Sequence, residues 1–187
     1  MEELINGSYE FEEVDANPMH TKYDFVSMGL RQIPKRIAIL KYPQPGLEKY
    51  YNLGFGNIII DKNGIESISD MSRNNNKNDK DKVLKTVFTC ALDFLSTHPN
   101  SILTFFGNTS AKHRLYKIGV SNNLDAIESC FIIKGGIIRD LRIKENSKSG
   151  KRPDSIINIE KIEYEIYNPA KSNLYNFITF ELRSHLK

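Results

Sequence analysis

Apolar positions recur at intervals of three and four from Val83 through Leu84, Val87, Phe88, Ala91 and Phe94 to Leu95, which is one buried stripe on a helix of about five turns. Asp79 is a suitable N-cap, and His98-Pro99-Asn100 is the stop. The pattern then changes. Ile102 to Phe106 is short, apolar throughout and bounded by polar turns, as a strand covered on both faces is. A second helix begins near Thr109 with Ala111, Leu115 and Ile118 on one face and a break at Gly119, and a short helical piece runs from Asn123 to Ser129. Phe131 to Ile138 is another strand, interrupted by Gly135 and Gly136.

Upstream, Tyr23 to Met28 alternates, and Arg36 to Leu40 is a short strand stopped by Pro43, Pro45 and Gly46. Tyr50 to Ile60 is rich in aromatic and β-branched residues. Its Gly54 and Gly56 mark a bulge or a place where something packs close to the backbone, with the bulge favoured. Asp61-Lys-Asn-Gly64 turns the chain into a returning strand, Ile65 to Met71. At the other end, Ile159 to Tyr167 and Tyr175 to Leu182 form a closing antiparallel hairpin. The predicted fold is α+β: a twisted, mostly antiparallel sheet layered with two main helices. Residues 1–21 are acidic and aperiodic and are expected as an N-terminal arm, ordered only where something holds it. Residues 22–187 are the domain, with a basic loop insertion at about 139–158.

Composition changes this picture little. A chain of 187 residues with 40% hydrophobic and 26% charged residues is one globular domain. The net charge of +3 is the small difference between 26 basic and 23 acidic residues, and only Lys144 to Arg152 is a markedly basic run. That run is expected as a solvated loop, with nucleic acid as its functional alternative. Cys90 and Cys130 sit in apolar stretches and read as core. No segment has the unbroken apolar run of a signal peptide or membrane helix, so the expected compartment is the cytoplasm, with no membrane partner.

Candidate chemistry gathers at the two helix starts. His20, His98, His113 and His185 are scattered with no cysteine or carboxylate at ligand spacing, so no metal site is expected. Thr109 and Ser110 read first as caps. Arg114 offers five fixed donors to a phosphate or carboxylate, and Tyr116 can stack or donate a proton. Their structural alternatives are an ion pair of Arg114 with Asp125 or Glu128, and packing of the Tyr116 ring on the sheet. Arg73, Asn76, Lys77 and Asn78 before the first helix, and Asn108 and Thr109 before the second, complete a candidate ligand-binding set for a small anion.

Asn52-Leu-Gly-Phe-Gly56, Asn78-Asp-x-x-Lys-Val-Leu84 and Gly107-x-Thr109-x-x-x-x-Arg114-Leu-Tyr116-x-x-Gly119 together resemble a bacterial family of unknown function. The order strand, strand, strand, helix, strand, helix, strand, strand also resembles the second half of the acetyltransferase (GNAT) fold. In that fold acyl-coenzyme A lies between two splayed central strands, with its pyrophosphate on the start of the following helix. Here the resemblance makes Ile65 to Met71 and Ile102 to Phe106 the splayed pair and Arg73 to Asp79 the pyrophosphate turn. Arg73-Asn-Asn-Asn-Lys-Asn-Asp79 carries none of the glycines acetyltransferases use there, and Asp79 brings a carboxylate to the phosphate position. The functional expectation is a non-catalytic or degenerate acetyltransferase-like domain that binds a ligand or a protein partner. One rival is an N-acyltransferase using acyl-coenzyme A, with Tyr116 as its acid. The other is a nucleic-acid-contacting accessory protein working through Lys144 to Arg152.

Overall fold

Alternation in the first third of the chain builds an antiparallel meander of β1 (Phe11–Asn17), β2 (His20–Met28), β3 (Gln32–Lys41) and β4 (Tyr50–Ile60). In register, Tyr23 lies opposite Ile37 and Ile37 opposite Phe55, so one phase of each strand faces the core. The computed structural model describes residues 1–69, 76, 78–107, 110–139, 141–144, 154–157 and 162–186. After β4 the chain turns at Gly64, whose φ of +80° suits glycine, and Asp61 Oδ1 accepts the N–H groups of Asn63 and Ile65. The returning strand, β5 (Glu66–Ser69), pairs with the far end of β4 only.

Helix α2 (Lys80–Thr97) carries the chain back to β6 (Ile102–Phe105), which pairs in parallel with the near end of β4. Helices α3 (Ser110–Asn122) and α4 (Leu124–Glu128) lead to β7 (Phe131–Ile138). A separate hairpin of β8 (Leu141–Lys144) and β9 (Asp154–Ile157) precedes β10 (Ile162–Ile166), and β11 (Phe177–Leu182) ends the sheet. The nine-stranded sheet runs β1-β2-β3-β4-β6-β11-β7-β10, with β5 on β4. This is the expected mixed α+β architecture with a mostly antiparallel sheet. The core lies between the sheet and α2, where Phe88 meets the rings of Phe105 and Phe180 at 6.3 and 5.5 Å. Cys90 and Cys130 are free thiols inside it.

The first 21 residues are held. A short helix, α1 (Glu2–Asn6), packs on α2 with Leu4 at 0% exposure, and β1 pairs with β2. The Tyr9 N–H donates to Thr86 Oγ1 at 2.9 Å. Because α1 covers its outer side, α2 buries Thr86, Thr89 and Leu92 as well as the apolar stripe. Each threonine hydroxyl satisfies itself on a carbonyl one turn back, Lys82 and Lys85 respectively.

Several local expectations change. Tyr51 to Asn57 pairs with β3 in unbroken register, so no bulge forms at Gly54 and Gly56. Gly56 instead admits a close backbone, since a Cβ there would lie 2.6 Å from the carbonyl oxygen of Ser69. Pro34 sits inside β3, beyond the stretch Lys35 to Lys41 that pairs with β4, where its missing N–H is tolerated. Helix α3 runs through Gly119, over which the Leu84 side chain packs. Its buried positions include Lys117 and Val120, whereas Leu115 and Ile118 are 53% and 45% exposed.

The largest correction concerns the C-terminal hairpin. β10 and β11 do not pair with each other, because β7 lies between them and β11 is inserted between β6 and β7. Two glycines make this possible. The ring of Tyr175 occupies the Cβ position of Gly135, and the ring of Phe177 that of Gly136. Of the basic run, residues 145–152 lie outside the described residues.

If α1 belongs to the core, Leu4→Ala lowers the unfolding free energy by about 2–5 kcal/mol in urea denaturation. A loss below about 0.5 kcal/mol, typical of a surface site, would show that the segment is not integral.

Candidate functional site

The edge of β4 that faces away from β3 has two partners. Tyr50 to Leu53 pair with β6, and Asn57 to Ile60 pair with β5. Gly54, Phe55 and Gly56 lie between these two ladders. Above them, the start of α2 and the length of α3 enclose a cleft of about 420 Å3 lined by Phe55, Gly56, Asp79, Lys80, Lys112 and Tyr116 among others. Both helix starts therefore border one cleft, as the sequence requires of a shared site. The strand geometry differs from expectation. The partner of β6 is β4, not the strand beginning at Ile65, which is a hairpin arm attached to β4.

The wall beside α3 is aromatic. Tyr116 stacks on Phe105 at 4.5 Å with planes 15° apart and lies 5.4 Å from Phe55. The floor beside α2 is polar. Lys35 is 4% exposed, lines the cleft and donates from Nζ to Asn57 Oδ1 at 2.6 Å across the β3–β4 ladder. Burial lowers the pKa of this amine, with Asp79 opposing the shift. Asp79 occupies the N-cap position of α2, but its carboxylate makes no cap bond. It accepts from Ser27 Oγ and, at 3.2 Å, from the Tyr9 hydroxyl. Burial also raises the Tyr9 pKa.

Asn76 lines the cleft and is clamped by the β2–β3 turn. Its Nδ2 donates to Ser27 Oγ at 2.8 Å and to the Arg31 carbonyl at 3.0 Å, and its Oδ1 accepts from the Arg31 N–H at 3.3 Å. Gly29 leaves room for it, since a Cβ there would lie 2.6 Å from Asn76 Oδ1. The amide thus ties the chain at Asn76 to the sheet.

The family model for DUF6934, a family of unknown function, matches residues 6–162. The chain belongs to DUF6934. The three motifs between Asn52 and Gly119 that carried the sequence resemblance all fall inside the match. No curated protein and no solved structure matches the chain.

Of the residues singled out by sequence, the fold of this DUF6934 member brings Asn76 and Tyr116 into the cleft. Asn78 and Arg114 are exposed and are not among the lining residues. Arg73, Lys77, Asn108 and Thr109 lie outside the described residues. Sequence reasoning missed Lys35, Asn57 and Ser27. The signal was present: Lys35 stands in phase with Ile33, Ile37 and Ile39, Asn57 with Leu53 and Phe55, and Ser27 with Tyr23 and Phe25. A polar residue in a core-facing phase of each of three adjacent strands marks a polar patch under one end of α2.

The lowered Lys35 pKa fixes the sign of a pH effect. At pH below its folded value, both folded and unfolded chains carry the proton and the folded state bears the full cost of a buried cation. Between that value and the ordinary lysine value of about 10.4, the unfolded chain binds more protons, so stability rises with pH. Lys35→Met removes this contribution. The stability of the natural protein relative to the variant is expected to rise as pH approaches about 10.4, measured by denaturant titration of both. A pH-independent difference would place the Lys35 amine in water.

Proposed function

We propose that this domain binds a small anionic ligand in the cleft between the start of α2 and α3, on an acetyltransferase-like scaffold that has lost the transfer chemistry. The observation that carries this reading is the buried Lys35 amine at the floor of a cleft beside the stretch of β4 between its two ladders. Burying an amine costs stability, and buried titratable groups beside a cleft cluster at functional sites. Two further lysines, Lys80 and Lys112, line the same cleft. Of its acids, Asp79 is engaged by Ser27 and Tyr9, and Asp81 by Asn123 Nδ2 at 2.9 Å.

The scaffold reading is supported by the parallel neighbours β4 and β6. They are joined through β5 and α2, and β4 runs on past the end of β6 at Phe105, which leaves an open stretch of β4 similar to the gap at the splayed central pair of an acetyltransferase. Loss of transfer chemistry is supported by the glycine-free segment Arg73 to Asp79 and by Tyr116, whose ring lies flat on Phe105. The position of Tyr116 on the cleft wall favours a second reading, an N-acyltransferase using acyl-coenzyme A with Tyr116 as its acid.

Thermal unfolding with acetyl-coenzyme A, coenzyme A and inorganic pyrophosphate, each at millimolar concentration, separates these readings. A ligand near a hundred times its dissociation constant adds about 2.7 kcal/mol of stability. The expected outcome is stabilisation that is lost in Lys35→Met, with no thiol released from acetyl-coenzyme A in the presence of amines. Thiol release abolished by Tyr116→Phe would establish the transferase instead. No stabilisation by any of the three would overturn anion binding in the cleft.

A further inference from the structure

The sheet face opposite α2 carries a second hollow, independent of the cleft. Strand register places Thr104 of β6, Thr179 of β11 and Lys134 of β7 in one row across this face, and Phe177, Gly136 and Tyr164 in the next. The Phe177 ring lies over Gly136, where a Cβ would come within 2.3 Å of a ring carbon, and it meets Tyr164 edge-on at 5.9 Å. The hydroxyls of Tyr42 and Thr104 lie 2.9 Å apart. Tyr50 on β4 and Tyr164 on β10 reach over this face from opposite sides. That pair borders two adjoining hollows of about 410 and 390 Å3.

Two observations give these hollows a chemistry. The larger one contains no charged residue among its described lining residues, which are aromatic and aliphatic side chains with hydroxyl and amide groups at intervals. The smaller one is lined by Thr179, which is 1% exposed and whose Oγ1 is the one buried side-chain polar atom without a hydrogen-bond partner among the described residues. Folded proteins pair such hydroxyls almost always, and valine would fill the same space without the cost. The charged pair beside it, Lys134 and Glu181 at 2.7 Å, is already satisfied.

We infer that this face is a binding site for an uncharged aromatic compound carrying a hydroxyl or carbonyl group. Its ring packs against Phe177, Phe106 and Tyr164, of which Phe106 and Tyr164 are 43% and 41% exposed. Its polar group bonds the Tyr42–Thr104 hydroxyl pair or, in the adjoining hollow, Thr179 Oγ1. A charged ligand is disfavoured because the larger hollow offers it no counter-charge while removing it from water.

The test is a titration of the isotope-labelled full chain with 2-naphthol, using naphthalene-2-sulfonate as the charged comparison of the same ring size. The expected result is saturable binding of naphthol that shifts the methyl resonances of Thr104 and Thr179, with at least tenfold weaker binding of the sulfonate. Tyr164→Ala and Phe106→Ser, both at exposed positions, each weaken naphthol at least tenfold while keeping a dispersed amide spectrum. Thr179→Val weakens naphthol severalfold and unfolds at no lower temperature than the natural protein. Equal affinity for both probes, shifts confined to Phe55 and Tyr116 in the other cleft, or binding that does not saturate would overturn the proposal. So would a concentration-dependent dimer lost in Tyr164→Ala, which would make this face a contact between copies.

Discussion

One edge of β4 serves two strands, and most of the site follows from that constraint. A strand edge offers a single row of N–H and C=O groups. β6 takes the near end of this row in parallel, and β5 takes the far end antiparallel. Because α2 must connect the two, its start stands over the far end and its finish over the near end. The rings of Phe94 and Tyr51 meet at 5.0 Å there, and His98 stacks on Phe94 at 4.4 Å. α3 leaves β6 just where that strand stops pairing, so the cleft opens over Gly54, Phe55 and Gly56.

A second constraint closes the other half of the sheet. β11 arrives last in the sequence yet lies between β6 and β7, so its side chains must fit where two strands already face the core. Gly135 and Gly136 supply the space, one to each face of the sheet: Tyr175 packs over the first on the side of α2 and Phe177 over the second on the opposite side. His113 on α3 then bonds the Tyr175 carbonyl at 2.9 Å, and the Tyr175 hydroxyl donates to Glu165 Oε1 at 2.7 Å. The insertion thus also anchors α3, which forms one wall of the cleft. A chain of contacts therefore runs from Gly135 through Tyr175 and His113 to the wall of the cleft.

The polar floor of the cleft is the costly part of the molecule. Lys35, Asn57, Ser27, Asn76 and Asp79 gather where Tyr, Phe and Ile fill the rest of the same face. Such clusters must be fully bonded to be tolerated, and the Asn76 clamp on Arg31 together with the Ser27 and Tyr9 bonds to Asp79 shows how this one is satisfied. The same bonds explain why Asp79 does not cap α2. Its carboxylate is drawn to the hydroxyls of Ser27 and Tyr9, contributed by segments that lie far from it in the chain.

Periodicity by itself determined the central elements, though not α1, β1, β8 and β9. The apolar stripe of α2, the short apolar β6 and the alternating β2 and β4 follow from side-chain spacing, because local geometry sets which residues share a face. The polar residues Lys35, Asn57 and Ser27 in core-facing phases were equally legible, although only as isolated exceptions to three separate patterns. The tertiary structure alone decided which strands are neighbours. β10 and β11 carry the pattern of a hairpin, and nothing within either strand records that β7 separates them; that depends on the space left by Gly135 and Gly136 and on a connection long enough to cross. The same holds for α3, where Leu115 and Ile118 have helical spacing but stand at the cleft. Which face of a helix is buried depends on what packs against it, and spacing along one chain segment carries no information about the other side of the contact.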